Sequence, residues 1–207
     1  MTKLTKKFYR RDDVVEVASD LLGKFLFTNI GGKLTGGIIT ETEAYAGVTD
    51  QASHAYGGRR TRRTEIMYRE GGTAYVYLCY GVYSLFNVVT NKKDIPHAVL
   101  VRAIHPVEGL EVMTKRRKIK PGAKNFSSGP GTLSIALGIH FSSHSGLSLL
   151  DSTIWMEDRK LEISPSMILS GPRIGVEYAG KDALLPYRFR IKPEAVKNNP
   201  LFQKLNG

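Results

Sequence analysis

Glu41, Glu43 and Tyr45 stand at alternate positions of residues 38–45, a run whose composition predicts a β-strand. Side chains two apart share one face of a strand, so Ile39, Glu41, Glu43 and Tyr45 line one side. Ile38, Thr40, Thr42 and Ala44 line the other. A carboxylate pair beside a phenol, on a rigid strand leading into a glycine loop, is a ledge suited to catalysis. Taken alone, the segment reads first as two glutamates facing solvent. The tyrosines form a second constellation. Five of the ten (Tyr68, Tyr75, Tyr77, Tyr80 and Tyr83) fall within 16 residues, and Tyr75 and Tyr77 share one face of their strand. Tyrosine suits strands, which accounts for Tyr75 and Tyr83. Tyr80-Gly81 instead falls where a hairpin would turn. An aromatic ring at a hairpin tip packs poorly but can stack on a base or wedge between bases.

Other candidate chemistry is weaker. His140 and His144 have a metal-compatible spacing, but they lie in a Ser/Gly-rich loop with no third ligand evident, so no metal site is expected. Gly57-Gly58 and Gly71-Gly72 do not match a phosphate-cradling loop, so neither ATP nor NAD is implied and no cofactor is expected. The single cysteine, Cys79, forms no internal disulfide, which suits a reducing cytosol.

These residues must be positioned by a folded domain. The chain has 207 residues and is 42% hydrophobic, enough for a real core, which excludes a disordered or low-complexity protein. No apolar run approaches the roughly 18 residues that span a bilayer, so no membrane association is expected. The basic N-terminus is followed by no apolar signal core, which points to a cytoplasmic protein. With no repeat, linker or composition break, one domain covering residues 1–207 is the economical reading. Residues 12–22 read as a helix stopped by Gly23, and 24–30 and 37–45 as strands joined through Gly31-Gly32. Residues 73–90 look like two strands and 98–104 a third, with a short helix near 64–68. Helices are expected over 107–117 and 131–137, the second capped by the Ser-Gly-Pro segment before it. Beyond residue 153 short strands alternate with Gly/Pro turns. Because helices and strands do not alternate regularly, the pattern predicts α+β around a mostly antiparallel sheet.

Thirty Lys and Arg against nineteen Asp and Glu give a net charge of +11. The surplus is clustered. Residues 59–69 hold five arginines and one glutamate; Lys115, Arg116, Arg117, Lys118, Lys120 and Lys124 follow one another without an acid; Arg188, Arg190 and Lys192 form a looser group. Each cluster alone is as well explained by a solvated surface, whereas three together favour a face that tracks phosphates. Charge does not separate DNA, RNA and phosphorylated metabolites.

Read in order, Glu41-Thr42-Glu43-Ala44-Tyr45 followed by His54 resembles the alkyladenine (3-methyladenine) DNA glycosylase family. So do Arg69-Glu70-Gly71-Gly72-Thr73-Ala74-Tyr75-Val76-Tyr77, Tyr80-Gly81-Val82-Tyr83, Asn87, and Val99-Leu100-Val101-Arg102-Ala103. Ser128-Gly129-Pro130, Pro172-Arg173-Ile174-Gly175 and Tyr178-Ala179-Gly180 complete a set running from about residue 13 to 192. Each motif alone is weak, and the ordered set is very specific. The stretch between Asn87 and Arg102, with Asn91-Lys92-Lys93-Asp94, is slightly longer than the family pattern.

The resemblance implies a single α+β domain with a curved antiparallel sheet like the formyltransferase C-terminal domain, and a protruding β-hairpin. It implies excision of alkylated or deaminated purines from double-stranded DNA by hydrolysis of the N-glycosidic bond, with no metal or cofactor, by a monomer. A stacked base is out of reach, so the nucleotide must be flipped into a pocket. The resemblance makes Tyr80 the wedge that fills the vacated space, and Tyr45, His54 and Tyr77 the walls around the flipped base. Glu43 becomes the general base on a water that Arg102 and the backbone carbonyl of Ile174 help to hold. Asn87 stands where the 2-amino group of guanine would clash. Glu41 is given a structural hydrogen bond and no catalytic role. The rivals are a basic nucleic-acid-binding module without catalysis and, more distantly, a hydrolase of free nucleosides.

Overall fold

The computed structural model describes residues 2–198 and Phe202. Its centre is a single nine-stranded antiparallel sheet: β1 (Thr2–Lys3), β2 (Phe25–Ile30), β3 (Lys33–Tyr45), β4 (Ala74–Cys79), β5 (Tyr83–Thr90), β6 (His97–Glu108), β7 (Ile154–Asp158), β8 (Ile168–Gly171) and β9 (Arg188–Ile191). The main path runs β1-β7-β2-β3-β6-β5-β4 and does not close on itself. Helices α1 (Lys6–Tyr9), α2 (Val14–Asp20), α3 (Leu110–Arg117), α4 (Pro130–Leu137), α5 (Phe141–His144) and α6 (Pro193–Asn198) complete a single α+β domain.

Local sequence explains most boundaries. Asp13 caps α2 by accepting from the N–H groups of Val15 and Glu16, and the helix buries Val14, Val17 and Ala18. The strand that follows turns through Gly31-Gly32 into β3, which starts at Lys33, four residues before the sequence expectation. β6 likewise runs on to Glu108 and takes residues 107 and 108 from the expected helix. Gly109, at φ 68°, then breaks the strand and α3 begins at Leu110. α4 starts at Pro130, the position where a missing N–H costs nothing, and Gly129 before it supplies no side-chain cap.

The long strand β3 organises the domain. β2 pairs along its first half and β9 along Glu41–Glu43 on the same edge, while β6 pairs along the other edge as far as Tyr45. One face of the sheet carries the main core, where Ala44, Val76, Phe86, Val88, Val99 and Val101 pack with α2 and α4 residues such as Val17, Leu133 and Leu137. Thr42, on that face, donates to the Ala18 carbonyl at 2.7 Å and so satisfies its buried hydroxyl. Strict alternation fails at one point. Ile39, grouped with the glutamates by period-two counting, belongs to the main core, because Thr40 is an unpaired extra residue that interrupts the alternation.

Candidate active site

The opposite face of the sheet carries the residues with chemistry. Strand register sets Glu43 opposite Leu100, Leu100 opposite Asn87, and Asn87 opposite Tyr75, a row crossing β3, β6, β5 and β4. The next row sets Tyr45 opposite Ala98, and Tyr77 pairs with Leu85. Partners across an antiparallel pair point to the same side. These rows therefore place Tyr45, Tyr75, Tyr77 and Asn87 around one cavity of about 760 Å³, rimmed also by His54, Tyr80, Arg102 and Ile174. Seven of the eight residues singled out in the sequence line this cavity; Glu43 lies just beneath its wall.

Glu43 is fully buried and held by three donors. The Tyr45 hydroxyl (2.9 Å) and Arg102 Nη1 (3.2 Å) donate to Oε2, and the Ile174 backbone N–H (2.8 Å) donates to Oε1. It is the N–H of Ile174 that the structure ties to this carboxylate. A buried carboxylate without donors would be costly, and these three donors satisfy both of its oxygens. Arg102 reaches its position through a pair of irregularities. Glu41 pairs with Ala103 and Thr42 with Val101, so Arg102 faces no residue on β3, just as Thr40 faces none on β6. Such a bulge re-aims a side chain, and the Arg102 guanidinium spans Glu43 and Glu41, with Nε 2.9 Å from Glu41 Oε1. Burial works against its charge, but the two glutamates outweigh it and its pKa is raised. Glu41 also accepts from Arg188 Nε at 2.6 Å, an ion-pair chain that matches the structural role read from the sequence. The Tyr45 phenol stays protonated because burial, and then the neighbouring Glu43 charge, push its pKa well up.

On the far side of the cavity His54 packs edge-on to Tyr77, with ring centroids 4.7 Å apart. Arg63 Nη2 lies 2.7 Å from His54 Nε2 and can only donate, so Nε2 accepts. The ring proton then sits on Nδ1 and is donated to the Tyr75 hydroxyl at 2.9 Å. Burial, then the charges of Arg63 and Arg59, pull the His54 pKa down to about 4. The imidazole is neutral at pH 7. Arg63 also lies over the Tyr77 ring, 5.2 Å from its centroid. Asn87 is buried, and its Nδ2 donates to the carbonyls of Tyr75 and Leu85 (3.1 and 3.3 Å), which turns its side-chain oxygen to the cavity it lines.

Tyr80 stands apart from these packed groups. It occupies the tip of the β4–β5 hairpin with 93% of its surface exposed. Tyr80 and Gly81 have φ of 50° and 70°, and the Val82 N–H closes the turn on the Cys79 carbonyl at 3.1 Å. A turn with two left-handed residues favours Asn-Gly; a tyrosine in its first position is strained. Next to the turn, a Cβ on Gly131 would come within 2.6 Å of the Tyr83 ring, so only glycine lets the start of α4 close against the hairpin.

Sequence reasoning missed several members of the site. Arg63 and Tyr75, which fix the His54 tautomer, sat in clusters read for charge and for strand packing. Asp50 and Arg173 form an ion pair with side chains 2% and 0% exposed next to the Glu43 strand. Arg173 was visible only as part of a motif, and nothing local marks Asp50. His140 and His144 do not lie in a loop as the sequence suggested: His140 caps α5, and His144 is buried at its end, where its Nδ1 accepts from the His140 N–H at 2.9 Å.

Comparison with known proteins identifies the family. The family model for methylpurine-DNA glycosylase matches residues 7–195. A Clostridium perfringens (strain 13 / Type A) protein to which 3-methyladenine DNA glycosylase activity is ascribed is 44% identical over 197 residues, covering 92% of this chain and 96% of the relative. A Chlamydia felis protein with the same ascription is 44% identical over 189 residues, covering 91% and 95%. One from Bacillus cereus (strain G9842), likewise ascribed, is 44% identical over 189 residues, covering 87% and 91%. The chain belongs to the methylpurine-DNA glycosylase family.

Proposed function

We propose that this chain is a monofunctional DNA glycosylase of base-excision repair. It flips an alkylated or deaminated purine out of duplex DNA and hydrolyses the N-glycosidic bond with a water activated by Glu43. The observation that carries this reading is a fully buried carboxylate, fixed by three donors, beneath the wall of an aromatic cavity beside a projecting tyrosine.

Tyr80 enters the base stack and fills the space that the damaged nucleotide leaves. The purine lies between Tyr45 on one side and His54 and Tyr77 on the other, and Asn87 meets the edge where guanine carries its 2-amino group. His54 is neutral, so it adds no positive charge against a cationic base. Glu43 takes a proton from water as the water oxygen bonds to C1′, the C1′–N9 bond breaks and its electron pair leaves with the purine. The carboxylate also stabilises the oxocarbenium character that develops on the sugar. An N-alkylated purine is already cationic and departs neutral. A neutral lesion such as hypoxanthine needs protonation from solvent or the site. Because Glu43 is wholly covered by Tyr45, Arg102 and Ile174, the water must displace one of these contacts as the lesion enters; Arg102 and the Ile174 backbone are placed to hold it. Among the described residues no lysine lines the cavity, which supports attack by water over a Schiff base.

We read the chain as one domain over residues 1–207 that acts as a monomer on DNA in the cytoplasm or nucleoid. The finer kinship of the sheet with the formyltransferase C-terminal domain rests on the family resemblance. The test is a panel of duplexes carrying 3-methyladenine, hypoxanthine or ethenoadenine. Abasic-site formation on at least one is expected. Tight binding with no excision on any of them would leave the non-catalytic binding module as the correct reading.

A further inference from the structure

We propose that Arg173, through its buried ion pair with Asp50, is a positioning residue that holds the Glu43 carboxylate in its working orientation; this rests on the role of Glu43 given above. The guanidinium uses both of its terminal nitrogens. Nη1 binds Asp50 Oδ2 and donates to the Ala44 carbonyl at 2.9 Å; Nη2 donates to Asp50 Oδ1 at 2.8 Å and to the Asp182 carbonyl at 3.0 Å. Its plane lies over the Tyr45 ring, 4.9 Å from the centroid, and near Tyr187 at 5.3 Å. Asp50 in turn accepts from the N–H groups of Ala46 and Ala52, both at 3.0 Å, so the pair gathers the chain that leaves β3.

Three routes lead from this one guanidinium to Glu43. Ala44 follows Glu43 on the strand, and its carbonyl is held. Tyr45 donates to Glu43 Oε2, and its ring is backed. Ile174 follows Arg173, and its N–H donates to Glu43 Oε1. Arg173 therefore fixes the strand that carries the carboxylate together with two of the three donors that orient it. Stability alone is a poor reason for such a pair, since replacing a buried ion pair by apolar groups of similar volume is often neutral or favourable. Orientation is a better one. Lysine keeps the charge but cannot form the bidentate fork or lie flat on a ring, so Arg173→Lys separates charge from geometry.

The test uses the full chain and a duplex lesion that the wild type excises, under single-turnover conditions at saturating enzyme. Arg173→Lys is expected to slow excision about 10- to 100-fold, the usual effect of loosening the groups that orient a reacting residue. Duplex affinity should stay within about twofold. The Ile174 amide proton, carried downfield by the carboxylate, should move upfield towards its position in Glu43→Gln. Asp50→Glu, which keeps the charge but shifts the carboxylate by one methylene, should reproduce these effects. A wild-type excision rate in folded Arg173→Lys, or an unmoved Ile174 resonance, would overturn the positioning role while leaving the Glu43 reading intact. Failure of both variants to fold would also overturn it, by assigning the pair to stability. If the wild type excises no lesion, the reading of the site itself fails.

Discussion

At the scale of single residues the site is a set of side chains held in place by their neighbours. Glu43 is kept by donors from three separate parts of the chain, and His54 is kept neutral by burial and two arginines. His54 therefore gives a direct check. Its folded pKa of about 4 lies below the ordinary value of 6.5, so between these pH values the unfolded chain takes up a proton that the folded chain refuses. Its contribution to stability is present above pH 6.5 and is lost as pH falls towards 4. Followed by NMR, the His54 ring should not titrate between pH 7 and 5, and Arg63→Gln should move its titration upward. A ring that protonates near pH 6.5 in the wild type would contradict the assignment. Alternation alone was enough to put Glu41, Glu43 and Tyr45 on one face. It could not show which glutamate is buried, because Arg102 and Ile174 reach Glu43 from 59 and 131 residues away in sequence.

At the scale of elements, the strands and the hairpin were legible from composition and turn residues, while the irregularities were not. The unpaired Thr40 and Arg102 leave no mark in the sequence, since a bulge depends on both strands of a pair. Yet this irregularity aims Arg102 at both glutamates. Strand ends shifted for a similar reason. β3 starts early because Lys33, Leu34 and Thr35 pair with β2. β6 runs on because His105, Pro106 and Glu108 pair with Ile38, Gly37 and Gly36 of β3, past the point where local propensity fades. The hairpin tip was readable from Tyr-Gly, but its strain appears only in the φ of 50° at Tyr80. Such strain at an exposed aromatic residue fits the wedge role proposed for Tyr80. Tyr80→Asn should relieve it and stabilise the protein by about 1 kcal/mol, a rise of roughly 2–4 °C in Tm. The same change should weaken capture of a lesion duplex severalfold while sparing the excision rate at saturating enzyme. A rate that fell as far as in a Glu43 variant would give Tyr80 a part in bond breaking instead of wedging.

At the scale of the whole molecule, the charge of +11 divides once the contacts are known. Arg116 donates to the Ala136 carbonyl at 3.0 Å and to Thr35 Oγ1 at 3.2 Å, and Arg117 donates to the carbonyls of Phe126 and Asn125. Arg60 pairs with Glu65 and Asp94, and Arg188 with Glu41. Clusters that look uniform in sequence thus mix charges that tie the fold together with charges free to meet phosphate. Which is which was illegible, because it depends on carbonyls and carboxylates brought in from elsewhere. Lys118→Gln with Lys120→Gln should lower the slope of log affinity against log salt by about 1–2, irrespective of DNA sequence. Arg116→Gln should leave that slope alone and lower Tm. An unchanged slope in the lysine double variant would remove those residues from the DNA face.

The central claim is that Glu43 performs the chemistry and the rest of the site delivers a lesion to it. Glu43→Gln keeps the shape of the side chain and removes its charge, and single-turnover excision measured beside duplex affinity reads both roles at once. The wild type should release the damaged base, and the variant should lose at least about 100-fold in rate while holding the lesion duplex as tightly. Excision at the wild-type rate by a folded Glu43→Gln protein would contradict the account.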